Sequence, residues 1–168
     1  MKINKKKFIY LISPNKIKKS FYRDLSNILK LNKVSFFQLR LKNASFKRKL
    51  AIGKKIKKIC KKYKTIFLIN DDVLLAKKLN ADGCHLGQKD MNILKAKEII
   101  KKKIIGITCH NSIKLAKLAM KDKADYLAFG AFYASKTKKT KFKANLILLK
   151  KIAKITKTPI VAIGGINS

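Results

Sequence analysis

At 168 residues and 47% apolar, the chain is one domain long enough to bury a core. Its net charge of +35 invites a nucleic-acid or anionic-membrane surface, but the excess is nearly all Lys, spread along every helical segment, with Arg only at Arg23, Arg40 and Arg48. Arg is the residue suited to base readout and bidentate phosphate grip, so solvated faces are the better reading, and only weak, salt-sensitive polyanion binding is expected.

Residues 8–13 (FIYLIS) form a short apolar run closed by Pro14, a strand and then a turn. Phe21, Leu25, Ile28 and Leu29 recur at helical spacing and predict an amphipathic helix over 17–31. A second strand, 34–40, turns polar at Gln38, with Arg40 and Lys42 at its tip. Ile52, Ile56, Ile59, Cys60 and Tyr63 mark the next helix. The third strand, 65–69, ends in Asn70-Asp71, and a short helical pattern (Val73, Leu74, Leu75, Ala76, Leu79) follows it. The fourth strand, 83–87, ends in Gln88-Lys89-Asp90. A helix over 91–103 turns Ile93, Ala96 and Ile100 inward; strand five, 104–109, ends in His110. Asn111 or Ser112 caps a helix burying Ile113, Ala116 and Met120. Strand six, 126–130, opens into a Ser/Thr/Lys-rich loop over 131–142. Leu146, Leu149, Ile152 and Ala153 mark another helix, and strand seven, 159–163, runs into Gly164-Gly165.

Near-continuous apolar strands alternating with helices read as a parallel α/β protein whose sheet is buried on both faces. Polar residues at nearly every strand end fit a barrel better than an open sheet, because a barrel gathers its tips around one mouth. Seven strands are one short of the eight-stranded form, so the spacing leaves two readings: a barrel without its last strand, or an open sheet.

The acidic residues single out one stretch. Of 8 Asp and Glu in the chain, Asp71, Asp72, Asp82 and Asp90 all lie between 71 and 90, where even scatter would place roughly one. Helix capping accounts for Asp72. Asp71 and Asp90, each at a strand end, point to function, because in such folds the active site is built from the loops at the carboxyl ends of the strands. Two carboxylates among basic and amide groups suit Mg²⁺ carrying a phosphorylated ligand. Arg40, Lys42 and Lys138 balance phosphate charge, and Gly164-Gly165 lets backbone N–H groups approach a phosphate. His110 serves either as a general acid–base or as a residue orienting the helix start. His85, inside a strand, reads as a packed, hydrogen-bonded histidine. Cys60, Cys84 and Cys109 have no metal-type spacing; free thiols in a reducing compartment, hence a cytoplasmic protein, is the simplest account. The run 8–12 is too short for a secretory core, and no run reaches membrane-spanning length.

The motifs QLRLK (38–42), IND (69–71), ADGCHLGQKD (81–90), GITCH (106–110), SKTK (135–138) and VAIGGI (161–166) resemble, in order and spacing, those of thiamine-phosphate synthase. The resemblance implies a TIM-type barrel, one domain over 1–168, with the eighth strand and last helices missing. It implies the joining of a pyrimidine methyl diphosphate to a thiazole phosphate, through a pyrimidine carbocation trapped by the thiazole nitrogen, with release of pyrophosphate. Gln38, Arg40, Lys42 and Asn70 would then hold the pyrimidine diphosphate, and Asp71 and Asp90 would ligate Mg²⁺. Thr108 stands where the family usually has Ser and keeps the hydroxyl. Ser135 and Thr137 would contact the thiazole phosphate, Lys138 the diphosphate, and Gly165 the thiazole phosphate through its backbone. Arg40, Lys42, Thr108 and Lys138 would be the catalytic set. Ala131 replaces a Pro common in the family. The partners implied are these two small molecules, with no specific nucleic acid and no membrane; a homo-oligomer is compatible with them. Two rivals are a thiazole tautomerase of the same fold, which uses a histidine at the His110 position, and a truncated, noncatalytic basic polyanion-binding protein.

Overall fold

The computed structural model describes residues 8–133 and 141–166. The predicted alternation is present: β1 (Ile9–Ile12), α1 (Phe21–Lys30), β2 (Val34–Leu39), α2 (Phe46–Lys62), β3 (Ile66–Asn70), α3 (Val73–Leu79), β4 (Gly83–Leu86), α4 (Ile93–Ile100), β5 (Ile104–His110), α5 (Ile113–Lys121), β6 (Tyr126–Phe129), α6 (Leu146–Ile155) and β7 (Ile160–Ala162). β1, β2 and β3 lie side by side in chain order, as do β4, β5, β6 and β7. Their pairing is parallel, with Phe37 opposite Phe67 and Leu86 opposite Ile107. Among the described residues no helix is long and apolar enough to cross a membrane.

The chain divides into two compact units: Met1–Asn70 with Leu74–Asp82, and Asp71–Val73 with Gly83–Ser168. In the first unit, Phe37, Phe67, Leu68 and Ile69 are buried with Leu25, Leu29, Ile56 and Leu75 from the helices. In the second, β4 and β6 are buried along their whole lengths, and Leu86, Ile105, Leu127, Phe129 and Ile152 are fully enclosed. Buried runs of this kind are what strands covered on both faces require.

Several boundaries differ from the sequence expectation for local reasons. The first helix starts at Phe21 because residues 18–21 make a turn, with the Phe21 N–H bonded to the Lys18 carbonyl at 3.2 Å. The fourth helix is trimmed at both ends: Asn92 caps it by accepting the Lys95 N–H at 2.9 Å, and Lys101 leaves the helix at φ 50°. Ser112 is the cap of α5, accepting the Leu115 N–H at 3.2 Å. Asn111 instead donates to the Lys143 carbonyl at 3.2 Å. Ala119 is buried on α5, while Met120 is only half-buried. The helix marked by Leu146, Leu149, Ile152 and Ala153 is present as α6, with Ile152 buried and Leu146 68% exposed. Residues 146–149 are apolar around most of the helix, and one packing contact buries only one stripe.

Two aspartates act as staples at strand starts. Asp82 Oδ2 accepts the Phe67 N–H at 2.8 Å while the Asp82 N–H returns to the Phe67 carbonyl at 2.9 Å. Asp125 repeats this on Ile105, at 2.8 Å in both directions. Each closes a helix–Ala–Asp–strand join, after Asn80 at φ 45° and Lys123 at φ 60°. Asp82 thus serves the fold, and the acidic cluster contains one purely structural member.

Candidate active site

In the second unit, the carboxyl end of β4 gathers the acids. The chain leaves β3 at Asp71, whose left-handed backbone (φ 63°) lets its N–H reach the His85 carbonyl at 2.8 Å. Two residues beyond His85, the Gly87 N–H donates to Asp90 Oδ2 at 2.7 Å. A Cβ on Gly87 would stand 2.9 Å from that oxygen, so any larger residue there would push the Asp90 carboxylate aside. Both aspartates are therefore tied to a strip of chain two residues long, on the order of 7 Å at extended spacing. Their charges meet at one atom as well. The buried Cys84 thiol is pushed far above the usual range, first by burial and then by Asp71, Asp72 and Asp90. Asp72, assigned to capping from the sequence, so adds its field to the same tip.

Next to this tip stands Thr108 on β5, half-buried, its hydroxyl 2.8 Å from His85 Nε2. Gln88 ties the loop after β4 to β5 by donating from Nε2 to the Thr108 carbonyl at 2.6 Å. His85 is buried and hydrogen-bonded, as expected, with Nδ1 2.7 Å from the Tyr126 hydroxyl. His110, at φ 53°, stacks on Phe142 with ring centroids 4.2 Å apart.

The Gly-Gly pair is explained by its backbone: Gly164 has φ 89° and Gly165 φ 69°, the left-handed region where a side chain is strained. The Gly164 carbonyl accepts the N–H groups of Phe132 and Tyr133, both at 3.1 Å. Ala131 is firmly held; its N–H donates to the Phe142 carbonyl at 3.1 Å, a bond that proline cannot make. Ser135, Thr137 and Lys138 lie outside the described residues.

In the first unit, β2 and β3 present their own polar end. Leu39 is opposite Ile69, so one step further puts Arg40 beside Asn70, on the same sheet face as Gln38. Gln38 is 2% exposed, and its Nε2 is buried with no hydrogen-bond partner among the described residues. A buried donor left orphaned is costly and calls for a ligand group. Arg40 is doubly placed: its N–H donates to Ser13 Oγ at 2.9 Å and its guanidinium to Asn15 Oδ1 at 3.1 Å. Lys42 is exposed beyond the tip. Sequence reasoning missed the supporting residues Asn15, Ser13, Gln88, Tyr126 and Phe142. Gln88 was within reach, as part of the HLGQ-x-D run; Asn15 carries no local signal.

The donors at the β4 tip are hard carboxylate oxygens, and Asp90 keeps Oδ1 beside the oxygen that holds Gly87. Such a pair fits Mg²⁺, which takes one or two carboxylates and fills its shell with water and phosphate oxygens.

Parallel strands and helices in strict alternation, with oxygen donors, amides and cations at the strand ends, define an α/β enzyme that acts on small molecules. A sequence profile described as thiamine monophosphate synthase matches residues 9–168, and the chain belongs to that family, a group of transferases in thiamine biosynthesis. It is 69% identical to the thiamine-phosphate synthase of Pelagibacter ubique, over 99% of this chain and 82% of that relative. It is 42% identical to the Fusobacterium nucleatum thiamine-phosphate synthase, over 95% of this chain and 78% of the relative. A solved structure of Pyrococcus furiosus thiamine phosphate pyrophosphorylase superposes with a TM-score of 0.84 at 34% identity, covering 95% of this chain and 76% of that one. The fold class is accordingly the TIM-type (β/α) barrel, with seven strands among the described residues.

Proposed function

We propose that the chain joins a pyrimidine methyl diphosphate to a thiazole phosphate, forming thiamine monophosphate and releasing pyrophosphate. Family membership supports the reaction. The observation that carries the metal-dependent reading is the convergence of Asp71 and Asp90 on the end of β4.

Asp71 and Asp90 are the residues that would hold Mg²⁺. A divalent ion held by these two carboxylates would neutralise charge on a departing pyrophosphate. Gln38 gives its orphaned amide to the pyrimidine, and Asn70, Arg40 and Lys42 bind the diphosphate. Arg40 arrives oriented by Asn15, so less freedom is lost on binding. Thr108 donates its hydroxyl, Lys138 adds a cation, and Ser135, Thr137 and the Gly165 backbone take the thiazole phosphate. Preorganised donors aimed at a leaving group develop their full effect as charge builds on it, so the reaction needs no protein nucleophile. The free, buried cysteines agree with a cytoplasmic setting. The tautomerase reading is the weaker one, because the paired carboxylates at the β4 tip have no role in it.

Pyrophosphate release from both substrates with Mg²⁺ tests the proposal. The Asp90→Ala variant is expected to fall by about 100-fold or more. Equal rates in wild type and variant would sink the metal assignment.

A further inference from the structure

We infer that Tyr126, reaching across β5 over Gly106, fixes His85 as its Nε2–H tautomer and so makes the Thr108 hydroxyl a donor toward an anionic ligand. Tyr126 and His85 are then positioning residues. The inference rests on the reading above that Thr108 donates its hydroxyl to the substrate, and takes the diphosphate as the acceptor.

The device is set by register. His85 on β4 is opposite Gly106 on β5, and Gly106 is opposite Tyr126 on β6. Three positions in line across three strands would normally hold three side chains. Gly106 has none, and the Tyr126 ring fills the gap: a Cβ on Gly106 would collide with the ring at its Cζ. The phenol thereby spans a whole strand and brings its oxygen 2.7 Å from His85 Nδ1, the two rings near parallel at 21°. On the other side of the imidazole, Nε2 is 2.8 Å from Thr108 Oγ1. Tyr126 is 4% exposed and His85 7%, whereas Thr108 is half-buried, so the chain of three runs from the interior to an accessible hydroxyl.

A neutral imidazole donates from one nitrogen and accepts at the other. If Tyr126 donates to Nδ1, then Nε2–H donates to Thr108, and the threonine hydrogen points outward. Every group donates once, and the chain ends on the ligand. In the reverse direction Thr108 would spend its hydrogen on Nε2 and turn lone pairs toward a diphosphate, which repels it. The two hydroxyls differ in strength: a phenol is the better donor and the poorer acceptor of the two, so the Tyr126 hydroxyl at Nδ1 favours the direction that leaves Nε2–H for Thr108. A phenylalanine at 126 would fill the same space without choosing.

The ring-nitrogen shifts of ¹⁵N-histidine-labelled protein decide the matter, recorded with Mg²⁺ and inorganic pyrophosphate as the probe. The expected wild-type result is protonated Nε2 and unprotonated Nδ1 at His85, with Nδ1–H appearing in Tyr126→Phe. In steady-state assays Tyr126→Phe should raise KM for the diphosphate substrate about tenfold. In a Thr108→Val background the same change should add nothing, because the relay has already lost its outlet. Protonated Nδ1 in the wild type, or fully additive losses, would overturn the inference. The wild-type spectrum is decisive even if a variant fails to fold. A wild type that binds pyrophosphate without turning over would defeat the proposed reaction and leave the tautomer result standing.

Discussion

Asp125 and Asp90 are the same residue type in the same unit, and they do different work. Asp125 sits one residue before β6, and its carboxylate closes a two-way clasp on the backbone of Ile105, which is itself fully buried. Asp90 sits past the far end of a strand, on an exposed loop, with one oxygen on the Gly87 N–H. Asp82 repeats the first arrangement, on Phe67. Asp71 shares the second, anchored by its N–H to the end of β4. Acids at strand starts complete the sheet's hydrogen bonding; acids past strand ends gather charge at the site. In a chain with 8 acidic residues, that division is the clearest mark of which ones serve chemistry.

The sharpest way to break this comparison is to neutralise one acid of each kind. Asp71→Ala should lower turnover by about 1,000-fold at saturating Mg²⁺, with the thermal midpoint little changed. Asp125→Ala should do the reverse. It leaves the buried Ile105 N–H without its partner, so urea unfolding should show a loss of about 1–3 kcal/mol, while turnover per folded molecule is kept. Asp71→Ala unfolding as readily as Asp125→Ala would blur the two classes into one.

The thiols give a pH test of the same cores. Burial pushes Cys60 up to about 12, with Asp82 adding to it, and burial pushes Cys109 up to about 12, from 9.0. Each folded-state value is raised, so the neutral thiol is the form the fold keeps. Its stabilisation is complete below pH 9 and is lost as pH climbs from 9 toward 12, where the unfolded chain ionises first. Unfolding by urea at pH 8 and pH 10.5 should show wild type losing more stability than Cys60→Ala, by about 2 kcal/mol. A Cys60→Ala variant with the same pH dependence as wild type would contradict the burial. The smallest effect belongs to α6: Leu146→Ser, at a position 68% exposed, should stay within about 0.5 kcal/mol of wild type by thermal unfolding.

Much of this is legible in the sequence. Strand and helix order follows from apolar runs broken by Gly, Pro and polar tips, and Asp71 and Asp90 stand out because both follow strands. What escapes is whatever depends on register between strands. Nothing local to Tyr126 says that it lies opposite a glycine and reaches a histidine 41 positions earlier. Asn15 holds Arg40 from 25 residues upstream. By position alone Asp82 groups with the functional acids; only its bond to Phe67 shows that it closes a strand. Which side of α6 packs inward is not legible either, because a helix apolar on most sides gives no period to read.

Equilibrium binding of Mn²⁺, as a probe for the Mg²⁺ site, in the presence of pyrophosphate tests the central claim most directly. Wild type and Asp125→Asn should each bind one ion per chain with similar affinity. Asp90→Asn, which keeps an acceptor for the Gly87 N–H, should bind it at least about tenfold more weakly. Unchanged affinity in Asp90→Asn, or an equal loss in Asp125→Asn, would contradict the assignment of the metal to the end of β4.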